Sequence, residues 1–214
     1  MQLLLIRHGE SVANSQRILQ GHLDSPLNET GRKQAQSLAD ALAEDRFAQV
    51  FASDLARARE TAEIVCARLG TPLEVDADLR EIGIGCFTGL SWAQISERYP
   101  EEYQRLIASA MDWSVVPEAE GEPAAQERLA RFLTKLQQSH GDSRVAIVAH
   151  GAILRRMIRK LLALEPGVHL DFELGNASCT EIHLTPKGPR LLYLNRLPYA
   201  VRPIRVGDAP RHLF

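Results

Sequence analysis

Leu3-Leu4-Leu5-Ile6-Arg7-His8-Gly9-Glu10-Ser11 is the stretch that decides the reading of this chain. Four consecutive apolar residues almost at Met1 predict a strand buried on both faces, and Arg7, His8 and Gly9 put a cation and an imidazole where that strand stops. Open α/β sheets place their chemistry at the carboxyl ends of their strands. A second stretch has the same design: Val145-Ala146-Ile147-Val148-Ala149 predicts a buried strand, His150-Gly151 follows, and Ala152 to Met157 form a strong helix former. A lone histidine reads as a satisfied structural residue. Two at equivalent ends of neighbouring parallel strands would meet in one crevice.

Between these strands the periodicity predicts an alternation of strands and helices. Strand Gln2-Arg7 leads through a polar loop, Gln20 to Leu27, to a helix from near Thr30 to about Glu44. Gln49-Ala52 is a second buried strand, Ser53 is expected to be an N-cap, and Leu55 to Leu69 has helical spacing up to Gly70. Thr71-Val75 is the third strand. Glycines 83, 85 and 89 then punctuate a loop, and Trp92–Tyr99 and Glu101–Met111 read as short helices separated by Pro100. Amphipathic helices inserted there are suited to covering a site. An acidic loop from Pro117 to Pro123 precedes a long helix to about His140, whose Glu and Arg residues are expected on a solvated face. Strands near Asn176–Leu184 and Arg190–Asn195 follow the second histidine. Pro198, Pro203 and Pro210 predict an irregular tail over about 196–214.

At 214 residues the chain fits a single domain, 1–214, with a cap insertion at about 83–123, and such a core needs no disulfide or metal staple. The 25 basic and 27 acidic residues nearly balance, which gives no global field for nucleic acid or an anionic membrane. Any anion site must be local. Cys66, Cys86 and Cys179 are odd in number and lack C-x-x-C spacing, so a disulfide framework and a structural zinc site are not expected. With no apolar run near the roughly 20 residues of a membrane span and no signal-like amino terminus, the expectation is a soluble cytoplasmic protein. A homodimer is the expected assembly, if any.

The candidate chemistry is phosphoryl transfer. Arg7 and Arg57, the latter in the first turns of the helix after the second strand, offer planar forks for phosphate oxygens. His150 and the Gly151 N–H at a helix start add donors at a positive helix end. His8 would then lie in line with phosphorus, and a neutral imidazole nitrogen is a competent nucleophile. Nearby guanidinium charges are expected to depress its pKa. Glu81, in the glycine-punctuated loop beyond the third strand, is the candidate proton donor, with a bound phosphate dianion favouring its acid form. Glu10 is the competing carboxylate, but it could equally brace its loop. His22 is singled out from His140, His169, His183 and His212 because its loop faces the site. Arg155, Arg156, Arg159 and Lys160 are expected on the solvated side of a helix.

Four signatures in order resemble the histidine phosphatase superfamily, or phosphoglycerate mutase-like family, in its phosphatase branch. They are Arg7-His8-Gly9-Glu10-Ser11 with Asn14; Gln20-Gly21 with Asp24, Pro26, Leu27 and Gly31; Ser53-Asp54-Leu55 with Arg57-Ala58; and Ala149-His150-Gly151. The resemblance implies a three-layer α/β/α sandwich with a mainly parallel central sheet and a small helical cap. It implies His8 as the phosphohistidine, Arg7, Arg57 and His150 as ligands of the phosphoryl group, and Glu81 as proton donor. It further implies Asn14, Gln20 and Gly21 as substrate contacts, no metal and no cofactor.

The chain departs from the family where substrate is held. Many broad-specificity members have G-x-W-E-G after the proton donor, and this chain has Gly85-Cys86-Phe87-Thr88-Gly89, which changes the leaving-group pocket. Mutases of the family carry a Tyr and a Lys three and eleven residues after the acid, where Ile84 and Trp92 stand here. The expected function is therefore a metal-independent phosphomonoesterase acting on a small phosphorylated metabolite. The alternatives are a mutase, which lacks its basic substrate contacts here, and a non-catalytic phospho-ligand binder, which would not need His8, Arg57, Glu81 and His150 together.

Overall fold

A computed structural model describes residues 1–164 and 171–197. The expected strand and helix alternation closes into one six-stranded sheet. Its strands are β1 (Gln2–Arg7), β2 (Gln49–Ala52), β3 (Leu73–Val75), β4 (Arg144–Ala149), β5 (Cys179–Thr185) and β6 (Gly188–Arg196), in the order β3-β2-β4-β1-β5-β6. The first four run parallel, and β5 and β6 add an antiparallel edge. β1 and β4 are direct neighbours with Arg7 opposite Ala149, so His8 and His150 leave the sheet side by side.

Alternation of side chains along the central strands builds two cores. Leu3, Leu5, Val145 and Ile147 face one way, against Leu129, Phe132 and Leu136 of α6 (Glu122–His140) and Ile153, Met157 and Ile158 of α7 (Gly151–Leu161). Leu4, Ile6, Ala146 and Val148 face the other way, against Leu38 and Ala39 of α2 (Glu29–Ala41) and Ala58, Ala62 and Val65 of α3 (Ala56–Leu69). Because both faces are covered, the strands read as unbroken apolar runs. Truncating one of these leucines to alanine costs about 2–5 kcal/mol. Among the described residues no helix is long and apolar enough to cross a membrane.

Several boundaries differ from expectation, each for a local reason. A short helix, α1 (Val12–Ser15), sits in the loop after β1, held by a capping box between Ser11 and Asn14. α2 runs Glu29–Ala41 under an Asn28 cap and stops three residues before Glu44. Ser53 is not the cap of α3: the helix begins at Ala56, and Asp24 from the preceding loop supplies the oxygen that accepts the Ala56 N–H at 2.6 Å. Between β3 and α6 lie α4 (Trp92–Arg98) and α5 (Pro100–Ala108). Pro100 is within the first turn of α5, where its missing N–H is harmless, and the helix ends before Ala110 and Met111, which adopt positive φ. Asn176 precedes β5 in a turn. The expected tail lies outside the described residues from 198 onward, as do His169 and His212.

The segment carrying α4 and α5 has its own apolar cluster of Ile84, Phe87, Ile95, Leu106 and Val116, flanked by Trp92, Tyr99, Tyr103 and Trp113. Its base is a bridge between Ile84 and Ala119. The basic run of α7 lies on its outer side, where Arg156 forks onto Glu122 of α6 at 2.5 and 2.8 Å.

Candidate active site

His8 and His150 lie at the carboxyl ends of β1 and β4 with ring centroids 5.1 Å apart, both buried. Their hydrogen bonds fix opposite tautomers. His8 Nδ1 lies 2.6 Å from the Gly9 carbonyl, which can only accept, so Nδ1 carries the proton and Nε2 keeps its lone pair. At His150 the Arg57 Nε–H donates to Nδ1 at 3.1 Å, so Nε2 carries the proton. That Nε2–H is buried and has no partner among the described residues. One imidazole presents a lone pair at Nε2 and the other an N–H. Burial holds both pKa values well below the ordinary 6.5, and the charges of Arg57 and Arg7 push the same way.

Arg57 is almost fully buried, and burial pushes its pKa down to about 10, so it remains a cation at neutral pH. Besides His150, it donates to the carbonyls of Leu23 at 2.8 Å and Gly21 at 2.9 Å, which fastens the second loop to the site. Its own carbonyl accepts the Thr61 hydroxyl at 2.7 Å, and Thr61 Oγ1 accepts the Gly9 N–H at 3.0 Å. Arg7 extends from the end of β1 and donates to the Leu174 carbonyl. The loop after it is held from below, where the His8 carbonyl accepts Ala177 N–H and Asn176 Nδ2, both at 3.1 Å.

Glu81 stands across from the sheet edge on the amino terminus of α7. Its carboxylate accepts the N–H groups of Ala152 at 3.0 Å, Ile153 at 3.1 Å and Ile82 at 2.9 Å. This places it beside His150 and Gly151, the first residue of α7. A helix amino terminus is a favourable place for a carboxylate. Glu10 braces its loop instead: its Oε1 accepts Asn28 Nδ2 at 2.6 Å, and its carbonyl packs so closely on Gly31 that a Cβ there would lie 2.1 Å away.

Of the expected substrate contacts, Asn14 and Gln20 meet at Ser11. Asn14 Oδ1 accepts the Ser11 N–H at 3.1 Å and Gln20 Oε1 lies 2.9 Å from Ser11 Oγ, so both side chains are tied to the first signature. Gly21, at φ +46°, turns its carbonyl onto Arg57. His22 lies on the same loop, and its Nε2 donates to the Glu81 carbonyl at 2.7 Å. Phe87, where the family often has Trp, is fully buried against Tyr99 and Trp113 and shapes the cap from within.

Arg128 of α6 was expected on the solvated face and is instead buried, paired with Glu120 at 2.6 Å. The helical spacing held the clue: Arg128 is three residues after Ala125 and four before Phe132, both core residues of α6. Arg131 and Glu127 of the same helix do lie on its exposed side.

A model of the histidine phosphatase superfamily (branch 1) matches residues 3–197. The chain belongs to the histidine phosphatase superfamily. Among its curated relatives is the metal-independent phosphoserine phosphatase of Arabidopsis thaliana, 33% identical over 86% of this chain and 76% of that protein. Phosphoglycerate mutase-like protein 4 of the same plant is 36% identical over 74% of this chain and 70% of that protein. Among solved structures, the alpha-ribazole phosphatase of Shigella flexneri superposes with a TM-score of 0.84 at 27% identity, covering 95% of this chain and all of that one. The histidine phosphatase fold accounts for the three layers and the mainly parallel sheet, and it makes this chain an enzyme of the phosphatase type.

Proposed function

We propose that this histidine phosphatase is a metal-independent phosphomonoesterase that works through a phosphohistidine on a small phosphorylated metabolite. The observation that carries the reading is the pair of opposite tautomers at His8 and His150. His8 Nε2 attacks phosphorus and the P–O bond to the leaving alcohol breaks. Arg7, Arg57 and the His150 Nε2–H hold the phosphoryl oxygens, where charge is greatest in transit. Glu81 gives a proton to the departing oxygen, and the carboxylate left behind is the form that its three N–H partners favour. Water then attacks phosphorus with Glu81 as base, the N–P bond breaks, and inorganic phosphate leaves a neutral His8.

The relative named a phosphoglycerate mutase-like protein keeps a second reading in play, in which the phosphohistidine transfers to a reoriented product. Ile84, where the mutases have Tyr, is buried in the cap cluster and offers no cation or hydroxyl for a substrate carboxylate.

The test is turnover with EDTA present on p-nitrophenyl phosphate, phosphoserine, 3-phosphoglycerate and sugar phosphates, reading released phosphate and 3- to 2-phosphoglycerate conversion in parallel. Phosphate release without isomerisation is the expected result, and isomerisation would replace the phosphatase by the mutase. His8→Ala should lose all but a trace of activity. Glu81→Gln should lower kcat/KM, which reports the transfer to His8, by about 10²-fold or more for phenyl phosphate and far less for p-nitrophenyl phosphate, because nitrophenolate leaves without an acid.

A further inference from the structure

The guanidinium of Arg128 has five N–H bonds and makes five hydrogen bonds. Nε donates to Glu120 Oε1 at 2.6 Å, and Nη2 donates to Glu120 Oε2 at 2.9 Å and to the Glu81 carbonyl at 3.1 Å. Nη1 donates to the carbonyls of Asp78 and Arg80, each at 2.7 Å. Three of the four successive carbonyls from 78 to 81 thus end on one side chain. Asp78 lies in a single 3-10 turn, Ala77–Leu79, and residues 80–83 belong to no helix or strand, so the Arg80 and Glu81 carbonyls have no ladder to satisfy them.

Glu120 completes the clamp at the base of the cap, next to the Ile84–Ala119 bridge. Its Oε2 accepts the Gly83 N–H at 3.2 Å and its own N–H donates to the Gly83 carbonyl at 2.7 Å. Burial pushes the Glu120 carboxyl up, but the Arg128 hydrogen bonds and charge together with the Gly83 N–H hold it below the usual range. Glu81 is therefore gripped by its carbonyl from Arg128 and His22, and by its carboxylate from α7. Arg128 also acts on the site electrically, since its charge is among those that depress His150.

We propose that Arg128 is a positioning residue for Glu81: with Glu120 it fixes the loop that presents the proton donor and ties that loop to the base of the cap. The inference rests on the proposed role of Glu81. Stability alone would not call for this arrangement, because an apolar residue of similar volume commonly serves a buried position as well as a charge pair does. Placement does call for it. Only a planar fork with five donors reaches two carboxylate oxygens and three carbonyls at once, and a displacement of about 1 Å in a catalytic group is enough to lose much of its effect.

The experiment compares kcat/KM, which reports the transfer to His8 without the shared hydrolysis step, on phenyl phosphate and p-nitrophenyl phosphate, esters of similar shape that differ in their need for an acid, in wild type, Arg128→Lys, Glu120→Gln, Glu81→Gln and Arg128→Lys/Glu81→Gln. Arg128→Lys keeps the charge and loses the fork. It should lower kcat/KM on phenyl phosphate about tenfold more than on p-nitrophenyl phosphate, and the double variant should show no lower kcat/KM on phenyl phosphate than Glu81→Gln alone. Equal losses on both esters, or losses that multiply in the double variant, would overturn the inference and leave Arg128 a structural residue. If Glu81→Gln itself leaves the ratio unchanged, the acid assignment fails first and this inference falls with it. Should Arg128→Lys not fold, Glu120→Gln is read by the same ratio, with the same expected and opposing results.

Discussion

Acidification should destabilise this protein through the two imidazoles of the candidate site. Burial and the Arg57 and Arg7 charges keep His8 and His150 neutral in the folded chain, with pKa values well below 6.5. The unfolded chain takes up a proton at each as pH falls through about 6.5, and the folded chain does not. The stability tied to these groups is fully present above that value and drains away as pH falls towards their depressed folded-state values. Each excluded proton contributes a slope of about 1.4 kcal/mol per pH unit at most, so the pair removes up to about 3 kcal/mol between about pH 7.5 and 5.5. Against a typical total of about 5–15 kcal/mol that is a large fraction. Urea unfolding at several pH values across this range measures it, in buffers free of phosphate, which would stabilise the native state by binding. His8→Asn and His150→Asn should each recover about half of the drop. Parallel pH dependence in wild type and both variants would show that these imidazoles are not held neutral, and the tautomer argument would go with it.

Two further substitutions probe the frame around the site. Thr61→Val keeps the shape of a fully buried side chain and removes the acceptor of the Gly9 N–H, so it should cost about 1–3 kcal/mol and lower kcat, read by urea midpoint and steady-state rate. Unchanged values in both would remove Thr61 from the support of His8. Gly85→Ala places a Cβ 1.9 Å from the Pro117 carbonyl at a φ of +56°, so the base of the cap must move. KM for a bulky substrate should rise while inhibition by inorganic phosphate, which needs only the phosphoryl site, stays as in wild type.

The sheet was legible because its strands are buried on both faces: Gln2–Arg7 and Gln49–Ala52 lie where their apolar runs say. Pattern also placed His8 and His150 at strand ends. What it could not supply was contact across the chain. The cap of α3 comes from Asp24, some thirty residues before the helix, so the nearer Ser53 was the natural reading. Glu81 lies in a loop with no periodicity, and its docking on α7 is set by the meeting of two distant segments. Arg128 looked like one charge among several on a polar helix. Its place on the Ala125–Phe132 row was visible, but a charge there becomes meaningful only when Glu120 and three carbonyls are seen to surround it.

The cap cluster invites a different kind of thought. Ile84, Phe87, Ile95, Leu106 and Val116 pack on one another, and of the large side chains around them Trp113 is shared with the sheet core. The segment enters and leaves through neighbouring residues, joined by the Ile84–Ala119 bridge and the Gly83–Glu120 pair. Such a unit can be rewritten internally while the strand ends beneath it stay the same. A graft of residues 84–119 between relatives would therefore exchange a whole roof at one seam, provided that it keeps the second tie, where the backbone of Leu19 pairs with Gly89 and Leu90, each at 2.9 Å.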